Sequence, residues 1–128
     1  TNIQDTLDKD ENTSDYFAQT VFSRQQARDE ALEVLQAVAT NSSALPEAVD
    51  AALADIAQIA KDIDSESKIE TLVKAKGFEE CIAVISEDSA TVIVKTDGLL
   101  ASEVAQINEI VYEQSGILPT GLKIIEKK

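Results

Sequence analysis

The apolar spacing of this chain changes once, at Gly77, and that change puts two kinds of structure into one molecule. Before Gly77 the apolar residues recur every three or four positions, the spacing of a helix laid against a core. After it they gather in short β-branched runs with period two, the spacing of strands. The fold class predicted is therefore α+β: N-terminal helical segments followed by a small mixed unit.

Upstream, Thr1 to Ser14 (TNIQDTLDKDENTS) is polar and acid-rich, with only Ile3 and Leu7 apolar. Such a stretch buries too little surface to offset its ordering entropy, which predicts a flexible leader over 1–14. Helical spacing begins at Ser14 or Asp15. Ala27, Ala31, Val34, Leu35 and Val38 form a stripe, with Leu32 beside it, and Asn41-Ser42-Ser43 ends the helix. Pro46 suits the first turn of a second helix. Its stripe is Val49, Leu53, Ile56, Ile59, Ala60 and Ile63. The short polar link between the two predicts an antiparallel hairpin over 15–66.

A third helical segment carries Ile69, Leu72 and Val73 and stops at Gly77. Ser67 and Glu70 have capping-box spacing, which favours a new helix start there. The apolar phase, however, runs almost unbroken from Ile56 to Val73, which favours one long helix. The spacing leaves both open, with a kink near 64–67 between them.

Beyond Gly77, Cys81–Ile85 and Thr91–Val94 read as a hairpin joined through Ser86-Glu87-Asp88-Ser89. Glu103 to Ser115 is a helix with Val104, Ile107, Ile110 and Val111 on one face. Pro119 and Gly121 bracket a turn, and Leu122 to Glu126 is a last strand. Residues 67–128 thus form an α-β-β-α-β unit with a three-stranded sheet, one face under its own helices. A partner or the helical hairpin would cover the other face.

Aromatics are 4% of the chain, so this core is built from Ala, Leu, Ile and Val. Eleven Lys and Arg against 24 Asp and Glu give a formal net charge of −13. Such a polyanion repels nucleic acid and anionic lipid, and no window supplies a basic patch. No apolar run is long enough to span a bilayer. The chain does not begin with Met, so a segment upstream of Thr1 is expected.

Catalytic chemistry finds little to use. With no histidine, neither a Ser–His–Asp nor a Cys–His set is possible. The four glycines sit at element ends, and none belongs to a phosphate loop. Cys81 starts a strand without an adjacent base and reads as a small apolar residue, with an intermolecular disulfide as its one other use. Asp62, Asp64 and Glu66 open like a calcium loop, but Ser67 and Val73 stand where Gly and Glu belong. The pairs Glu79/Glu80 and Glu87/Asp88 read as solubilising turns. No catalytic residue, cofactor or metal site is predicted.

Interaction remains. Tyr16, Phe17 and Phe22 are three of the five aromatics and lie beside Val21, outside the mixed unit. Aromatics are favoured interface anchors, so Tyr16, Phe17, Val21 and Phe22 are interface candidates. The strand residues Ile82, Val84, Val92 and Val94 join them. Helix-in-groove and strand-addition modes are both open to such a chain.

The run Ser67 to Gly116 resembles the stage III sporulation protein AH family of endospore-forming bacteria. The matching features are Glu70 and Leu72, Lys76-Gly77-Phe78, the Val/Ile hairpin, Val104-Ala105-Gln106-Ile107 and Gly116. Arg28-Asp29-Glu30-Ala31-Leu32 and the acidic second helix fit as well, so the resemblance covers about residues 15–128. It implies that 67–128 is similar to the ring-building motif of secretion-system and flagellar basal-body ring proteins. It also implies a transmembrane helix upstream of Thr1 in the mother-cell membrane, with this domain in the space between mother cell and forespore. The partner implied is stage II sporulation protein Q, a LytM-domain protein of the forespore membrane, joined in a channel. No catalytic residue carries over. The alternative, a KH-like nucleic-acid-binding domain of similar layout, lacks both a GxxG clamp and a basic groove.

Overall fold

A computed structural model describes residues 3–128, with side chains described from Thr13 onward. Two long helices come first, α1 (Ile3–Ala39) and α2 (Pro46–Ala75). Strands β1 (Cys81–Ser86) and β2 (Ser89–Lys95), helix α3 (Ala101–Ser115), a 3-10 turn (Pro119–Gly121) and β3 (Leu122–Lys127) follow. The α+β order and the three-stranded sheet are those expected from the change of spacing at Gly77.

Two boundaries differ. The expected leader is helical from Ile3, and Thr13 is buried, its hydroxyl donating to the carbonyl of Lys128. A tertiary contact is thus present at the C-terminal end of this segment, at Thr13. Thr1, Asn2 and the side chains of residues 3–12 lie outside this description. Further on, α2 is one unbroken helix through 64–67. Ser67 caps nothing; its carbonyl accepts the Thr71 hydroxyl at 2.9 Å, and Glu70 turns toward the sheet. The continuous apolar phase outweighs the capping signal.

Strand order is β1-β2-β3. β1 and β2 pair antiparallel, with Ala83 opposite Val92; β2 and β3 pair parallel, with Val92 opposite Ile124. The parallel pair requires a crossover, which α3 supplies. Gly116 ends α3 at φ 76, where a side chain would be strained, and its N–H donates to the Tyr112 carbonyl at 2.8 Å. Gly121 lies so near the β1–β2 turn that a Cβ would stand 2.7 Å from the Asp88 carbonyl oxygen.

Alternation along the strands divides the sheet into two faces. Cys81, Ala83, Ile85, Ala90, Val92 and Val94 face Ile69 and Val73 of α2 and Ile107, Ile110 and Val111 of α3. This is the main core. Ile82 and Ile93 point the other way and pack against Phe17 of α1, with Tyr16, Val84 and Ile125 around them. The chain's own first helix therefore covers the second face.

Candidate functional site

β1 is an edge strand, and exposed edges invite pairing with other chains. Here the edge is closed by side chains. Glu66 and Glu70 are one helical turn apart on α2 and point together at β1. Glu66 Oε2 accepts the Ile85 N–H at 2.8 Å, and Glu70 Oε2 accepts the Ala83 N–H at 2.8 Å. Arg24 of α1 donates to the Ala83 carbonyl at 2.6 Å and to Glu70 at 2.7 Å. Arg28, one turn later, pairs with Glu66 Oε1. Burial, and then the positive Arg24 beside it, lower the Arg28 pKa. Glu66 is 1% exposed, and a buried carboxylate of this kind is tolerable only with full pairing. The four side chains tie α1, α2 and β1 together and occupy the bonding positions a visiting strand would need.

Sequence reasoning missed this cluster. Glu66 drew notice only beside Asp62 and Asp64 as a failed calcium pattern. On a continuous helix each step of two residues turns about 200° around the axis, so Asp64 lies opposite Glu66: Glu66 turns inward while Asp64 pairs with Lys68 at 2.9 Å on the surface. The available signal was the spacing itself, with Arg24/Arg28 and Glu66/Glu70 each one turn apart.

β3, the opposite edge, bonds to β2 on one side, and no further strand pairs with it among the described residues. Leu122, Ile124 and Ile125 are only half-buried there.

The interface candidates separate into two groups. Val92 and Val94 are fully buried in the main core, and Phe17 and Ile82 are buried where α1 meets the sheet. All four are core residues here: Val92 and Val94 lie on the face under α2 and α3, and Phe17 and Ile82 are buried because α1 reaches back over the face that was left open for a partner. Tyr16 and Val84 are half-buried in the same layer, and Lys127 stacks its ammonium 4.6 Å from the Tyr16 ring centroid. Val21 and Phe22 point outward, 44% and 67% exposed.

Cys81 is buried, and desolvation, reinforced by the charge of Glu70, pushes its thiol pKa up to about 12. A thiol so protonated is a poor nucleophile at neutral pH. An open cleft of about 930 Å³ lies between α2, the β1–β2 turn and the α3–β3 connection. Its charged lining is Asp62, Asp64, Glu87 and Asp88 against Lys61. Its Ser65 hydroxyl donates to the Gln114 carbonyl at 3.1 Å, which turns it away from any base. No helix of the described residues is long and apolar enough to cross a membrane.

The fold and these surfaces define an α+β domain whose small mixed sheet is covered by helices on both faces, with one edge sealed and the other without a further strand among the described residues. The chain matches the model of the SpoIIIAH-like protein family over residues 2–124 and belongs to that family. It is similar in fold to a chain of the solved SpoIIQ–SpoIIIAH pore-forming complex, with a TM-score of 0.80 at 20% sequence identity. That likeness covers 88% of this chain and 96% of the other. Among curated protein sequences, none matches.

Proposed function

We propose that this chain is a non-enzymatic assembly domain of a sporulation channel, binding a SpoIIQ-like LytM-domain protein. Its place would be the space between mother cell and forespore, held by a transmembrane helix upstream of Thr1. The observation that carries this reading is the likeness, over 88% of the chain, to one component of a two-protein pore-forming complex. The surfaces favour it as well. β1 is sealed by Glu66, Glu70 and Arg24, whereas among the described residues β3 has no second strand and Val21 and Phe22 are exposed. An open strand edge offers main-chain hydrogen bonds, and an exposed aromatic offers an anchor.

Ring formation is part of the proposal, with a charge-based condition. At −13, copies of the isolated domain repel one another over a screening length of about 8 Å at physiological salt. Closure therefore relies on the membrane anchor and the partner. Light scattering on a mixture with the LytM-domain protein tests the reading. The expected result is a complex heavier than either component, weakened by Phe22→Asp, and a monomer when the domain is alone. Two unassociated peaks would refute partner binding, and a stable high-order oligomer of the isolated domain would refute the charge argument.

A further inference from the structure

Beyond the sheet unit, α1 and α2 run on as a two-helix layer with no third element against it among the described residues. Across residues 30–62 of this hairpin the buried side chain is Ala52. Leu45, Val49, Leu53, Ile56, Ala60 and Ile63 recur at steps of four, four, three, four and three, so they share one flank of α2 for about 27 Å. That flank is open: Leu45 is 70% exposed, Leu53 52% and Ile63 39%, while Val49 and Ile56 are half-buried. An apolar row of this length on a soluble surface marks a contact site.

Charge decides what it contacts. Residues 29–62 hold seven Asp and Glu and one base, Lys61, a net of −6. Asp50 stands three positions before Leu53 and Asp64 four after Ala60, which places carboxylates beside the row. A second copy would bring the same negative charge, and nucleic acid or an anionic membrane would be repelled. We infer that this flank of the hairpin docks an amphipathic helix of another protein, its apolar side on the Leu53 row and its Lys and Arg against the flanking acids. The site is separate from β3 and Phe22 and does not depend on the LytM-partner reading.

The test uses the whole chain and a synthetic Leu/Lys peptide with heptad-spaced leucines, beside a peptide of equal composition in scrambled order. Fluorescence anisotropy at physiological salt should show the amphipathic peptide binding at least about tenfold tighter than the scrambled one. Leu53→Glu should remove most of that difference while circular dichroism stays unchanged, and Phe22→Asp should leave it intact. Amide chemical shifts should move along 45–63. Equal binding of the two peptides, insensitivity to Leu53→Glu, or shifts spread over the acidic surface would overturn the proposal. So would concentration-dependent self-association that Leu53→Glu abolishes, since the occupant would then be a second copy.

Discussion

The sheet unit and the outer hairpin use the same residue types to opposite effect. Around the sheet, Ile69, Val73, Val92, Val94, Ile107 and Val111 are almost completely removed from water between two layers. In the hairpin, Leu53 and Val34 sit on equally regular stripes and remain 52% and 65% exposed. Periodicity makes a stripe; only a second layer makes it a core. Elements closed on both sides supply stability, and those closed on one side are left for binding.

Substitutions that break this contrast should span its full range. Ile107→Ala, inside the main core, should cost about 4 kcal/mol in chemical denaturation, since a fully buried aliphatic leaves a cavity when cut back. Glu66→Ala should cost about 3 kcal/mol, because it leaves Arg28 and the Ile85 N–H without their partner, with Glu66→Gln milder. Either variant unfolding within 1 kcal/mol of the parent, on the order of a surface change, would show that this side is no firmer than the hairpin.

The pH response should also come from the sheet side. Folding raises the Cys81 pKa from 9.0 to about 12, so the unfolded chain ionises first. The stability contributed by the protonated thiol is full below about pH 9 and lost as pH rises toward about 12. Denaturation at a series of alkaline pH values should show a smaller decline in Cys81→Ala than in the parent. The smallest effect belongs to the hairpin: Leu53→Ala should change stability by about 0.5 kcal/mol or less, as for a surface site. A loss of several kcal/mol would mean that the open flank is closed in solution.

Much of the fold was legible in the spacing. Gly77, the Val/Ile hairpin, the Ile107 face and the last strand were read within one or two residues of their ends. The layers were harder. Val92 and Val94 are β-branched strand residues whether they meet a partner or their own helices, so the pattern cannot say which. Phe17 is buried because α1 extends far enough back to lie on Ile82 and Ile93, a consequence of tertiary geometry that local spacing does not carry. Glu66 was hidden for a related reason, since an acid on a helix reads as solvated until the strand edge it caps is in place. The open Leu53 row was visible as a stripe, but a stripe does not announce whether a second layer exists.

Native-state hydrogen exchange on the free chain reads the central contrast directly. Amides of β1, β2 and the 66–75 end of α2 should exchange only by opening near the full unfolding free energy, and those of 46–62 in the same helix markedly faster. Equal protection along the whole of α2 would contradict the account, because the hairpin would then share the core's stability and leave no open layer for a partner.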